Sequence, residues 1–78
     1  MVVCKLLSNE NGVVRYSYQP ESNGTVGILE YDVLQDVGKV AERAENDVEC
    51  GFYCNPVYAM IRNNMDHLPK ERVIRWYW

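Results

Sequence analysis

Two Asn-Gly dipeptides, Asn11-Gly12 and Asn23-Gly24, each sit between short runs of β-prone residues. Asn and Gly accept a positive φ at little cost, and the tightest antiparallel hairpins require that backbone. Two such reversals early in a chain of 78 residues commit its first part to an antiparallel meander.

The flanking runs fit that reading. Residues 2–7 are β-prone and run into a polar cluster that ends at Gly12. In residues 13–19, Val14, Tyr16 and Tyr18 alternate with Arg15, Ser17 and Gln19, the period-two pattern of a strand with one apolar and one polar face. Residues 20–24 form a second turn, and residues 25–31 read as a third strand. There Val26 and Ile28 point one way, and Leu29 and Tyr31 the other.

At Asp32 the period changes. Leu34, Val37, Val40, Ala41, Ala44 and Val48 recur at helical spacing, so residues 32–48 predict a helix. Asp32 with Gln35 three residues on has the form of an N-terminal capping box. Gly38 within it costs about 1 kcal/mol relative to Ala, which marks close packing on the sheet. Asn55-Pro56 then starts a second helix, with Asn as N-cap and Pro at the first position. Val57, Met60, Ile61, Asn64, Met65 and Leu68 line it, and Pro69 ends it. Residues 72–78 read as a last strand with Ile74, Trp76 and Trp78 on one face.

The expected fold is therefore α+β: a four-stranded, mainly antiparallel sheet in the order β-β-β-α-α-β, with two helices on one face. The whole of residues 1–78 forms one domain. A chain this short buries only about 60–65% of the surface its unfolded form exposes, so a deep active-site cavity would consume much of its core. That favours binding or assembly over catalysis.

No apolar run approaches the roughly 20 residues that span a bilayer, and the N-terminus lacks a basic segment followed by a long apolar one. The three cysteines, Cys4, Cys50 and Cys54, are an odd number and poor material for a disulfide framework. These features lead to the expectation of a cytoplasmic protein of bacterial or phage type, with reduced thiols and no membrane contact. A tetrahedral metal site would need every Cys and His in the chain, so no metal, cofactor or catalytic residue is assigned. His67, the single histidine, is placed in the last helical turn, where an imidazolium meets the favourable end of the helix dipole.

What remains is surface. Of nine aromatics, six of them Tyr, five gather in two clusters, Tyr16/Tyr18 and Trp76/Tyr77/Trp78. Such side chains combine contact area with a polar tip and are frequent interface anchors. These five residues are the expected contacts of a non-enzymatic protein–protein interaction domain that binds itself or a larger partner.

The alternative is an acidic inhibitor or immunity-like protein. Residues 30–49 carry seven acids against two bases, and Glu42, Glu45 and Glu49 share a helical stripe that, with Asp47, could mask a basic, nucleic-acid-binding surface of its target. Direct nucleic-acid binding is disfavoured by a net charge of −3, because phosphate contacts need clustered Lys and Arg.

Overall fold

The computed structural model describes residues 1–21, 24–45 and 53–75. Its sheet has five strands: β1 (Val2–Glu10), β2 (Val13–Pro20), β3 (Gly27–Asp32), β4 (Val37–Glu42) and β5 (Glu71–Ile74). One helix, α1 (Cys54–Asn63), lies between β4 and β5 in the chain. The spatial order is β4-β3-β2-β1-β5, and every neighbouring pair is antiparallel. The class is α+β as expected, with one more strand and, among the described residues, one fewer helix.

The first hairpin follows the Asn-Gly signal directly. Glu10 pairs with Val13, and the two loop residues Asn11 and Gly12 have φ of 55° and 79°. Positive φ at both central positions matches the right-handed twist of the flanking strands. The strand before it runs on through Ser8 and Asn9 to Glu10 instead of stopping at residue 7. A bulge at Leu7, between the Leu6–Tyr16 and Ser8–Arg15 pairs, absorbs one extra residue.

As far as Glu42, the segment expected to be the first helix is instead part of a hairpin, and residues 46–48 lie outside the described residues. Its capping group is real but caps a turn: Asp32 Oδ1 accepts the backbone N–H groups of Leu34 and Gln35 at 3.0 and 3.1 Å. Asp36 takes a φ of 55° and accepts a hydrogen bond from the Tyr31 hydroxyl. The chain then returns as β4, with Val37 opposite Asp32 and Val40 opposite Leu29. Two forces favour this outcome. Val37, Gly38 and Val40 gain little from a helix, and a fourth strand pairs the otherwise open backbone of β3. Leu34 and Val37, assigned to a buried helical face, are 86% and 53% exposed.

α1 also differs in its limits. Its N-cap is Tyr53, and Asn55 and Pro56 are already helical. Proline is tolerated there because the N–H groups of the first turn have no intrahelical acceptor. The helix stops at Asn63 because Asn64 turns back on it: its side-chain amide donates to the Met60 carbonyl at 2.7 Å. Leu68 still packs on the core, but from the connection to β5. His67 is exposed in that connection, its backbone N–H bonded to the Asn64 carbonyl at 3.0 Å, so it has no helix-capping role.

The core lies between α1 and one face of the sheet. Val2 and Cys4 of β1, Val14, Tyr16 and Tyr18 of β2, and Leu29 and Tyr31 of β3 meet Cys54, Val57, Met60 and Ile61 of α1. Strict alternation along β2 sends every second residue inward. β5 joins the far side of β1, with Val3 opposite Val73 and Lys5 opposite Glu71.

Candidate functional site

Tyr16 and Tyr18, expected as contact residues, are fully buried under the helix. The same alternation that puts Arg15, Ser17 and Gln19 on the open side puts the tyrosines inside. Their hydroxyls are satisfied by backbone. Tyr16 donates to the Pro69 carbonyl at 2.5 Å, and Tyr18 accepts the Ala44 N–H at 3.0 Å. A buried phenol needs such a partner, so both rings organise the core and present no surface. Burial pushes the Tyr16 phenol up to about 12.

Trp76, Tyr77 and Trp78 lie outside the described residues, as do Asp47, Glu49 and Cys50. Glu42 and Glu45 are exposed, one at the end of β4 and the other just beyond it. With β4 extended, the helical spacing that would align these two acids does not apply.

The side of the sheet opposite α1 carries the surface that the sequence reasoning missed. Cross-strand registry places Arg15, Glu30 and Lys39 in one row across β2, β3 and β4. Glu30 sits between two cations, 3.2 Å from Arg15 Nε and 3.5 Å from Lys39 Nζ. Rows of mixed character flank it. On one side Val13, Asp32 and Val37 stand in register; on the other, Lys5, Ser17, Ile28 and Glu42 do. Two shallow depressions open on this face. One of about 310 Å³ is lined by residues that include Val13, Glu30 and Val37, and one of about 190 Å³ by residues that include Val3, Gln19 and Val26.

The face is thus a sheet surface with apolar residues around a short charge row. Exposed ion pairs contribute little to folding. A row held on rigid strands does, however, offer fixed positive and negative positions to a second surface. The alternation in residues 13–19 and 27–32 was the available signal. The polar half of that pattern was passed over in favour of the aromatic half.

The two described thiols, of Cys4 and Cys54, are buried. Cys4 is fully buried in the core, its Sγ 3.5 Å from the Arg72 carbonyl. Burial pushes this thiol up to about 11, against the opposing pull of the Arg72 guanidinium. It is protonated at neutral pH and thus a poor nucleophile or metal ligand. Among the described residues, no three His, Cys, Asp or Glu side chains come together in a way that could hold a metal ion. No helix among them is long and apolar enough to cross a membrane. Comparison with protein-family models, curated proteins and solved structures finds no match for this chain.

Proposed function

We propose that the chain is a non-enzymatic protein–protein interaction domain whose contact surface is the sheet face opposite α1. The observation that carries this reading is one-sided coverage. The only described helix packs on the core face, and the other face displays Val3, Val13, Ile28, Val37 and Val73 around the Arg15–Glu30–Lys39 row. An antiparallel sheet can face water on one side, but a solvated face normally reads as polar at every outward position. Here branched apolar residues occupy many of those positions, and Arg15, Glu30 and Lys39 are already paired with one another. That composition suits a protein surface of mixed polarity better than a nucleic-acid backbone, which demands unpaired cations.

The buried thiols and the satisfied tyrosine hydroxyls support a scaffold role for the core. In this reading Trp76, Tyr77 and Trp78, which follow Arg75 in the chain, are additional contact anchors.

Two variants test the proposal. Ile28→Lys with Val37→Lys alters the open face without touching the core. A chain ending at Arg75 removes the aromatic anchors. Both are expected to keep the wild-type circular dichroism spectrum. Both should lose binding, measured by calorimetry against a larger purified protein partner. Undiminished binding by the double variant would remove the open face from the interaction and overturn the proposal.

A further inference from the structure

We infer that two copies of this chain join through the outer edge of β5, pairing antiparallel about a two-fold axis at Val73 so that their sheets become continuous. This goes beyond the open-face reading: it adds a second contact, at an edge of the sheet, and names its occupant and register. The first support is the direction of the backbone groups. In an antiparallel pair, opposed residues alternate between those that exchange both backbone hydrogen bonds and those whose N–H and C=O point away. The Leu6 N–H donates to the Lys70 carbonyl at 2.8 Å, and these two residues extend the register in which Lys5 faces Glu71. Arg72 and Ile74, two and four residues on, therefore also turn their groups toward β1. Glu71 and Val73 turn theirs outward, and Arg75, one residue past β5, continues the same phase. Among the described residues nothing takes up those outward groups, because β5 is the last strand of the sheet.

The second support is side-chain pattern. Glu71, Val73 and Arg75 share the open face. With Val73 opposite its own copy, Glu71 falls opposite the other copy's Arg75, and the reverse pair forms by symmetry. A two-fold contact must be self-complementary, and this edge is: an apolar residue at the centre with opposite charges on either side. Val73 is 46% exposed in the single chain. Cross-strand pairs of this kind contribute favourably when charges are opposite.

The third support is space. A groove of about 510 Å³ runs between α1 and β5, lined by residues that include Ala59, Met60, Asn63, Val73 and Arg75. The helix therefore leaves the β5 edge clear for another strand. The opposite edge is unlike it. β4 is bulged at Ala41, between the Ile28–Glu42 and Leu29–Val40 pairs, which breaks the regular spacing an added strand would need.

Sedimentation velocity over a concentration series tests the pairing. The wild-type chain is expected to show a monomer–dimer equilibrium. Val73→Pro removes one outward N–H and no hydrogen bond to β1, and proline is accepted on an edge strand. It should weaken the dimer at least ~10-fold while circular dichroism stays native. Arg75→Glu should weaken it similarly by setting like charges together, and Glu71→Arg added to Arg75→Glu should restore it. The charge pair decides the matter even if the proline variant unfolds. A wild type that stays monomeric, a folded proline variant that dimerises as well as wild type, or a double variant without recovery would each overturn the inference. A monomer that still binds a different protein through Ile28 and Val37 would overturn edge pairing alone and leave the interaction reading standing.

Discussion

The ring of Tyr18 lies across Gly27, its partner in the β2–β3 register, so closely that a Cβ at position 27 would stand 2.5 Å from Tyr18 Cε1. The same Cβ would stand 2.5 Å from the Glu42 carbonyl oxygen and 2.7 Å from the Ala44 nitrogen. Two of these three neighbours are backbone and have little room to yield. Beyond the glycine, the Tyr18 hydroxyl reaches the Ala44 N–H, so one side chain of β2 bridges over β3 to the segment that follows β4. Gly27→Ala is expected to destabilise the fold by about 2–3 kcal/mol through forced overpacking. Thermal unfolding should register this as a fall of roughly 8–20 °C in Tm. Tyr18→Phe leaves the Ala44 N–H without that acceptor and should cost about 1–2 kcal/mol.

Gly12 has a φ of 79° in the two-residue loop that sets the β1–β2 register. An alanine there must hold a left-handed conformation, at a cost of roughly 1–2 kcal/mol. The nearest atom to its Cβ would be Leu34 Cγ at 3.4 Å, so the loss comes from the backbone and not from a clash. Gly12→Ala should lower the urea midpoint without changing the slope of the transition. A midpoint equal to wild type would mean that the loop does not need its left-handed glycine.

Alkali should weaken the fold in two stages. Both Cys4 and Tyr16 hold their protons more tightly when folded: Cys4 moves from 9.0 to about 11 and Tyr16 from 10.0 to about 12, each mainly by burial. A group whose pKa is raised by folding contributes fully below its unfolded value. That contribution is lost as pH rises through the folded one, because the unfolded chain then releases the proton first. Stability should therefore begin to fall above pH 9, where the Cys4 window opens, and keep falling as far as pH 12, where that of Tyr16 closes. Melting curves of wild type and Cys4→Ala across this range check it. The variant should lose part of the decline in the lower half of the range and keep most of that in the upper half, where burial alone, without the nearby Cys4 charge, still holds the Tyr16 proton.

Local chemistry made the first hairpin and the alternation of β2 readable, because each depends on residues adjacent in the chain. The Asn11-Gly12 loop needs only its own two φ angles, and Val14, Tyr16 and Tyr18 face inward by parity. The burial of Tyr16 and Tyr18 belongs to the next level up. Parity also places Tyr16 and Tyr18 on the covered face, but that conclusion requires knowing which side the helix packs on. The Arg15–Glu30–Lys39 row is invisible in sequence because its members come from three strands and meet only through register.

Position 38 shows how the same sequence reads in opposite ways, and it yields a test whose sign discriminates between them. Leu34, Val37, Val40, Ala41 and Ala44 fit a helical stripe, and in a helix Gly38→Ala would stabilise by about 1 kcal/mol. In the strand, Gly38 faces the side of the sheet that Tyr58 of α1 covers. A Cβ there would stand 2.6 Å from the ring, at both Cε1 and Cζ. The ring cannot simply retreat, since it packs beside Tyr31 with centroids 6.3 Å apart, and Tyr31 is held through its hydroxyl by Asp36. Helix propensity is a local preference worth tenths of a kcal/mol per residue. The competing gain, a fourth strand pairing with β3 and a tyrosine seated over a glycine, is tertiary and larger. Gly38→Ala is therefore expected to destabilise by about 1–3 kcal/mol. Pairing it with Tyr58→Ala should recover much of the alanine penalty, as two residues in direct contact do not act additively. Chemical denaturation of the two single variants and the double variant measures this coupling. A stabilising Gly38→Ala would restore the helical reading of residues 32–48 and dissolve β4.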